Sequence, residues 1–418
     1  MKIIKSFCRG SRGAVFSKKA PLVAEGKRKT LNIHIYPSNM KNESRIYRIT
    51  NSLIEAGIVK DILLVGKGDG ESNEHDQLDE TRQIWRVPLT RFSKLHWKIG
   101  KVLRYLQWLY KIFSRFRKER IEIVNCHSIF DLPLGVWLKR ATGCRLIYDT
   151  HELETERNGL KGSLKRILKR MEKRYIKHAD HVFAVSDSIA RWYQETYGLT
   201  GVTVIKNIPT PEKKPAPKGS NRLRDLFKVP AERILYIYQG AFFKGRGIPI
   251  LLAVFSRSDI HDHIVFMGYG ELAEEIKENA SRHQNIHFLE AVSPGEVVEY
   301  TSGADVGFSL IENTCLSYYY SLPNKVFEYL VSGIPCIVSD FPEMKAFVEG
   351  NRIGWTSSVD EESVYTLVTE ISHDTYLIPG KKQNIMKTLQ ENDFGWHHEH
   401  RKLIQVYKNI LGEGAPTL

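Results

Sequence analysis

The sequence predicts an α/β protein of two parallel-sheet domains facing a central cleft, on three observations. Strand-length apolar runs alternate with helical patterns in both halves, as strand-helix-strand crossovers require. Between the halves, the Pro- and Lys-rich segment from Pro209 to Gly219 breaks all periodicity. Finally, 418 residues exceed one typical domain of about 100–150 residues and suit two with extensions.

Taken in order, residues 1–30 carry nine Lys or Arg and only Glu25 as an acid. They lack the continuous apolar run of a secretory signal and are expected to form a basic, disordered or surface-bound extension. The fold proper is expected to start at Leu31, with strands at Asn32–Tyr36, Ile62–Val65 and Gln83–Pro88 and a helix near Ser44–Ala56. A basic helix follows over Lys94–Lys118, then a strand at Ile121–Cys126, a helix near Leu132–Ala141 and a strand at Arg145–Tyr148. A second basic helical run, Lys161–Lys177, precedes strands at His181–Val185 and Val202–Ile205. These elements make a first domain of residues 31–208, a linker of 209–230 and a second domain of 231–390. The strands of the second domain begin near Ile234, Ile264, Ile286, Val306 and Ile337. Residues 391–418, with Trp396, read as a terminal helix and tail.

Composition narrows the function. Hydrophobic content of 42% and charged content of 26% are ordinary for a globular chain and exclude a fibrous or wholly disordered one. Five scattered cysteines, an odd number, form neither a disulfide frame nor a zinc pattern and point to reduced thiols in the cytoplasm. The net charge of +13 is local, because residues 1–30 carry +8 and residues 91–120 carry +9. In the latter block Leu95, Ile99, Val102, Leu103, Leu106, Leu109, Tyr110, Phe113 and Phe116 recur at helical spacing, with Lys98, Lys101, Lys111, Arg115 and Lys118 largely opposite. Such a helix, and its partner around Leu164, Ile167, Leu168 and Met171, can lie on an anionic membrane, with Trp97 and Trp108 at headgroup level. A helix packed on its own domain with a solvated basic face explains the pattern equally well. No apolar stretch approaches the roughly 20 residues that span a bilayer. No zinc-finger, RNA-recognition or helix-turn-helix signature accompanies the basic blocks, so nucleic acid is not an expected partner.

The most informative segment is Ser321-Leu322-Pro323-Asn324-Lys325-Val326-Phe327-Glu328, followed by a Gly stop at Gly333 and the apolar run Cys336-Ile337-Val338. Pro323 suits a helix's first turn, the amides behind it form an anion site, and Lys325 adds a full charge beside them. A diphosphate fits there. Glu328, one turn further, is an acceptor suited to the vicinal hydroxyls of a ribose. On the facing domain, Asp149, His151 and Glu152 follow a strand, where open sheets bind ligands, and His127 ends the strand before. Arg45 and Arg48, opening the first helix beside Asn42, suit an anionic acceptor such as a lipid-linked diphosphate sugar.

These motifs resemble the family-4 (group 1) retaining glycosyltransferases of the GT-B architecture, of the bacterial surface-polysaccharide type. Besides Ser321–Ile334, the resemblance rests on Gly240 to Ile248 after a strand, on Gly268-Tyr269-Gly270 after another, on the landmarks from Asn285 to Val292 and at Ala304-Asp305-Val306, and on the Asn42–Arg48 loop. It runs from about Asn32 to Trp396. It implies two Rossmann-like domains, with the terminal helix crossing back to the first, and transfer of a sugar from a nucleotide diphosphate, UDP being the first expectation. The acceptor would be a hydroxyl of a glycan or a lipid-linked molecule, and the anomeric configuration would be retained. The resemblance gives Gly240, Lys244, Arg246, Gly268, Gly270, Val292, Pro323, Asn324, Lys325 and Glu328 to the donor side. Arg246 and Lys325 would stabilise the leaving diphosphate, and His151 would lie beside the transferred sugar. Asn42, Arg45, Arg48, His127, Asp149 and Glu152 fall on the acceptor side. No metal and no cofactor are expected, and the protein would work in the cytoplasm, peripheral on the inner face of the cell membrane. Two departures stand out. The family's first donor-site Glu is Tyr320 here, and its Arg after the first Gly is Ala241. A nucleotide-sugar epimerase of the same architecture and a non-catalytic membrane-surface scaffold are the alternative readings. A nicotinamide dehydrogenase is disfavoured, because Tyr36-Pro37-Ser38-Asn39 has no glycine fingerprint.

Overall fold

The computed structural model describes residues 31–41, 43–90, 96–209, 222–293, 295–374, 376–391 and 394–412. The basic extension 1–30, Asn42, most of the Pro- and Lys-rich segment and the last six residues lie outside the described residues.

The first half is one sheet built largely on short apolar runs, most of them buried along most of their length. In chain order its elements are β1 (Leu31–Ile35), α1 (Ser44–Glu55), β2 (Ile62–Lys67), β3 (His75–Gln77), β4 (Arg82–Val87), α2 (Trp97–Phe116), β5 (Ile121–Cys126), α3 (Leu132–Thr142), β6 (Arg145–Asp149), α4 (Gly162–Tyr175), β7 (His181–Ala184), α5 (Asp187–Tyr197) and β8 (Val202–Val204). The strand order is β3-β4-β2-β1-β5-β6-β7-β8, parallel except for the β3-β4 hairpin. Alternate residues of each strand feed two cores. Ile33 and Ile35 point to the face covered by α2 to α5, with Trp108, Leu134 and Tyr193. Leu64, Ile123 and Phe183 point to the face that carries Ile49 and Leu53 of α1.

The second half begins before the boundary that composition suggests. Leu223 of α6 (Arg222–Phe227) and Val229 are buried in the second core, with Leu235 and Val265. Then follow β9 (Leu235–Ala241), α7 (Ile248–Phe255), β10 (His263–Tyr269), α8 (Ala273–Arg282), β11 (Ile286–Glu290), α9 (Val297–Thr301), β12 (Val306–Ser309), α10 (Leu316–Tyr319) and α11 (Asn324–Val331). β13 (Cys336–Ser339), α12 (Pro342–Gly350), β14 (Gly354–Ser357), α13 (Glu361–His373) and α14 (Leu377–Glu391) complete an all-parallel sheet of order β11-β10-β9-β12-β13-β14. A terminal helix, α15 (Trp396–Leu411), crosses back to α1, where the Trp396 indole donates to Ser52 Oγ at 2.7 Å.

Each sheet reverses its winding once, between β1 and β5 in the first and between β9 and β12 in the second. Crevices open at such switch points, and here the two face one another. Ser186 Oγ donates to the Tyr320 carbonyl, the Ser188 amide to Glu343, and the Leu153 amide to Ser317 Oγ, tying the halves together at the cleft's edge.

The basic helix departs from its sequence reading. Trp108, expected at headgroup level, is 1% exposed and donates its indole N–H to the Gly66 carbonyl at 3.1 Å. It belongs to an inward face with Leu109, Ile112 and Phe116, whereas Trp97, Ile99, Val102, Leu106 and Tyr110 remain exposed. The helix thus carries two apolar faces. Leu164 and Ile167 of α4 are exposed as well, on the same side of the sheet. Among the described residues no helix is long and apolar enough to cross a membrane.

Candidate active site in the interdomain cleft

A cavity of about 530 Å³ lies between the carboxyl ends of the two sheets. Its second-domain wall is local in sequence. β9 ends in Gln239-Gly240-Ala241, and Gly240 takes a φ of +109°, disfavoured for any side chain, as it passes Lys325. Pro323 caps α11 in extended conformation, so the helix's first amides, without intrahelical acceptors, open beside Asn324 and Lys325. The Lys325 ammonium stands 3.7 Å from the Tyr238 ring centre, and burial, together with the neighbouring Arg246 charge, pushes it down to about 7. Arg246 packs its guanidinium over Tyr318, and its buried Nε has no hydrogen-bond partner. One turn along α11, the Glu328 carboxylate accepts from Gln239 Nε2 at 2.6 Å, and the Thr301 hydroxyl donates to Gln239 Oε1. Glu328 is therefore held from behind, with the cavity in front.

The first-domain wall is assembled from distant segments. Asp149, at the end of β6, accepts from Arg45 Nε at 3.0 and 3.1 Å and from Arg45 Nη2 at 2.5 Å, while Arg45 Nη1 donates to the Ile205 carbonyl. Burial alone would raise this carboxyl, but Arg45 and the His127 and His151 rings outweigh it and hold it well below the usual range. His127 Nδ1 lies 3.0 Å from Asp149 Oδ2 and 3.2 Å from His151 Nε2. His127 Nε2 lies 2.9 Å from His34 Nδ1, and His34 Nε2 lies 3.3 Å from Asn125 Nδ2. Asn125 Oδ1 accepts from the Tyr407 hydroxyl of α15. Since an amide nitrogen can only donate, His34 accepts at Nε2 and donates from Nδ1, so His127 accepts at Nε2 and donates from Nδ1 to Asp149. A buried chain of polar groups thus fixes the tautomers behind His151. The His151 ring lines the cavity, with Tyr36 packed 5.0 Å from it, and Nδ1 is the ring atom without a partner among the described residues.

His127, Asp149 and His151 also place three potential ligand atoms within 4.8 Å of one another. The three contacts from Arg45 already compensate the carboxylate, so the trio does not offer the free anion that a hard cation requires.

Of the residues singled out by sequence, Gly240, Arg246, Pro323, Asn324, Lys325, Glu328, Arg45, His151 and Glu152 line this one cavity. Others do not. Lys244 is exposed outside it, with its amide on Glu271; Val292 packs on the second core. Gly268 and Gly270 serve the sheet, since a Cβ at Gly268 would meet the Gly240 carbonyl oxygen at 1.9 Å and one at Gly270 the Phe242 backbone at 2.5 Å. His127 and Asp149 stand behind the wall, 1% exposed each. Arg45 and Arg48, expected to grip phosphate, are committed to protein acceptors: Arg45 to Asp149, and Arg48 to the carbonyl and side chain of Asn207. Tyr320 packs on the first-domain core instead of occupying the cavity. Sequence reasoning missed Gln239, Asn207, Ser317 and Tyr318, all of which line the cavity. Gln239 was findable as the last polar residue of its strand. The others come from segments whose proximity only the fold creates.

Comparisons with known proteins bear on the family and the fold. Residues 43–209 match the family described as Glycosyltransferase Family 4, and residues 233–374 match that described as Glycosyl transferases group 1. No curated protein sequence matches. Among solved structures, a sucrose-phosphate synthase from Thermosynechococcus elongatus superposes with a TM-score of 0.76 at 14% identity, covering 92% of this chain and 100% of that one. Anabaena HepE in complex with UDP-glucose gives 0.68 at 13%, covering 91% and 99%. WaaG, a glycosyltransferase involved in lipopolysaccharide biosynthesis, gives 0.63 at 12%, covering 91% and 99%. With two facing parallel sheets, a cleft at their switch points and family matches over both, the chain belongs to the glycosyltransferases of the GT-B architecture, with a family-4 first half and a group 1 second half.

Proposed function

We propose that the protein transfers a sugar from a nucleotide diphosphate, UDP first, to a hydroxyl of a glycan or lipid-linked acceptor in surface-polysaccharide assembly, retaining the anomeric configuration and using no metal. One observation carries the reading. Lys325 and Arg246, two cations without an anionic partner in contact among the described residues, face one cavity at a helix N-terminus, with Glu328 one turn away. That is a diphosphate clamp beside a ribose acceptor. The HepE structures bound to UDP and UDP-glucose support the choice of donor, and the role of WaaG in lipopolysaccharide biosynthesis supports the choice of pathway.

In this reading the acceptor hydroxyl approaches the anomeric carbon from the side the diphosphate leaves. The bond from that carbon to the diphosphate oxygen breaks, its electron pair stays on the oxygen, and that oxygen takes the acceptor proton as the new glycosidic bond forms. Arg246, Lys325 and the helix amides stabilise charge growing on the leaving group, an arrangement fixed before the reaction begins. His151, its ring set by His127 and Asp149, hydrogen-bonds the sugar or the acceptor.

The exposed apolar residues of α2 and α4, interleaved with Lys98, Lys101, Arg166 and Arg170, support a reading in which the first domain rests on the inner face of the cell membrane. Among the described residues the cysteines are free, which suits the cytoplasm.

The test is thermal stabilisation by UDP, GDP and ADP in turn, since a ligand at a hundred times its dissociation constant adds about 2.7 kcal/mol. A shift with one diphosphate, lost in a Lys325→Ala/Glu328→Ala variant, is expected. No shift with any of them overturns the donor site. Consumption of the nucleotide sugar without an acceptor would favour the epimerase reading. Equal sedimentation with neutral and anionic vesicles would remove the membrane.

A further inference from the structure

A second cavity, of about 500 Å³, opens in the first domain on the far side of the β1-α1 loop. Pro37, Ser38 and Asn39 line it, while Glu43, Ser44 and Arg45 line the cleft, so the two cavities share this loop as a wall. Its other walls are the segment after β2, from Lys67 to Gly70, the Pro88-Leu89 segment after β4, and Arg104 of α2. These are carboxyl ends of parallel strands, where open sheets bind ligands.

Most polar groups around it are already hydrogen-bonded, Asp69 and Glu74 by neutral donors that leave their negative charge in place. Asp69 accepts from the Asn39 amide, the backbone amides of Glu71 and Ser72, and the Ser72 hydroxyl. Glu74 accepts from the Trp85 indole, and Arg86 is spent on the Asn39 and Asn73 carbonyls and on Asp76. The side chains of Lys67 and Arg104 differ, having no hydrogen bond or ion pair among the described residues. Burial, then the charges of Arg104 and Lys101, lower the Lys67 ammonium from its ordinary value, so Lys67 and Arg104 stand close enough for their charges to interact.

The position of these cations matters. Trp97, Lys101, Arg104 and Trp108 fall on one stripe of α2. At its buried end Trp108 is bonded to the Gly66 carbonyl, immediately before Lys67; at its outer end lies exposed Trp97, near Ile99 and Val102. An anion between Lys67 and Arg104 would therefore sit where an apolar chain could leave along the exposed face of α2. In the other direction the shared wall begins beside Tyr36, which packs on His151.

We propose that this cavity binds the diphosphate of a lipid-linked acceptor, with Lys67 and Arg104 as its cationic clamp. The assignment rests on the glycosyltransferase reading above, and it takes over the role that the sequence suggested for Arg45 and Arg48.

The test uses the full-length protein and geranyl diphosphate, a soluble stand-in for a lipid diphosphate, with saturating UDP to fill the donor cleft. In a Lys67→Ala/Arg104→Ala variant the affinity for geranyl diphosphate should fall by at least about tenfold, the loss expected when charge-assisted contacts to phosphate are removed. UDP affinity should stay within about twofold, showing that the variant is folded, and a Lys67→Arg/Arg104→Lys variant should keep most of the geranyl diphosphate binding. Equal affinity in the wild type and the alanine variant overturns the proposal. So does a loss confined to sedimentation with phosphatidylglycerol vesicles, which assigns the two cations to bulk lipid phosphate. If the wild type fails to bind UDP, the donor reading fails by itself, and the geranyl diphosphate comparison, repeated without UDP, still decides the cavity.

Discussion

Two pairs of cations lie on the two sides of the cleft, one on each domain, and they are treated oppositely. On the first domain, Arg45 is neutralised by Asp149 and also donates to the Ile205 carbonyl, and Arg48 donates from Nη1 to the carbonyl and side chain of Asn207. On the second, Lys325 and Arg246 are brought close together, and Glu328, the one carboxylate of that wall among the described residues, is already bound to Gln239. The first pair holds the wall in place; the second is left short of negative charge, which is the state a site needs if its anion arrives with the substrate. Charge in a cleft therefore says little by itself. What separates scaffold from site is whether the protein itself supplies the cation's acceptors.

The division can be broken most decisively at Arg45. An Arg45→Met substitution leaves the Asp149 carboxylate buried and unpaired, and should cost about 3–5 kcal/mol of stability in urea unfolding. The Arg45→Met/Asp149→Leu double variant should recover a large part of that loss. If Arg45→Met instead leaves stability intact and weakens the donor, the contrast is wrong. The converse experiment is Lys325→Met, which should leave stability unchanged or raised but weaken UDP binding by about 1.5–3 kcal/mol in calorimetry, tenfold to more than a hundredfold.

A smaller effect sharpens the same contrast. With its folded value lowered to about 7, Lys325 in the free protein loses its proton above that pH, and a bound diphosphate favours the charged form. Binding therefore takes up a proton above pH 7, and UDP affinity should fall as pH rises, by at most about tenfold per unit. The fold responds with the opposite sign. Between about pH 7 and the ordinary lysine range the unfolded chain holds the proton and the folded one does not, so the contribution of Lys325 to stability rises with pH. A flat affinity profile in the wild type would show that Lys325 is already compensated. The smallest expected effect is Tyr407→Phe, which removes one end of the polar chain behind His151. It should cost about 1 kcal/mol of stability and lower kcat with UDP affinity unchanged. An unchanged kcat would mean that the chain only fills the core.

Much of the fold was legible because buried parallel strands are nearly continuous apolar runs. Ile62 to Val65, Ile121 to Cys126 and Ile264 to Met267 need no context to be read as strands. β3 and β14 were missed, since His75-Asp76-Gln77 and Gly354-Trp355-Thr356-Ser357 are short and largely polar, and become strands only by pairing with β4 and β13. The basic helix was read as having one apolar face because helical spacing reports a period and not a neighbour. Trp108 and Tyr110 are two residues apart, yet one is inside the domain and the other outside.

What the sequence determined by itself is the second-domain wall of the cleft, the proposed donor side. There the signal is local, because a helix cap, its first amides, a Lys and a Glu one turn on all belong to a single helix, and helical geometry brings them together wherever that helix packs. Only the tertiary structure decided which cations are free. Arg45 meets a carboxylate 104 residues further along the chain, Arg48 meets Asn207, and Lys67 and Arg104 come to line one cavity. The strength of a charge depends on burial and on partners within a few ångströms, and long-range packing sets both.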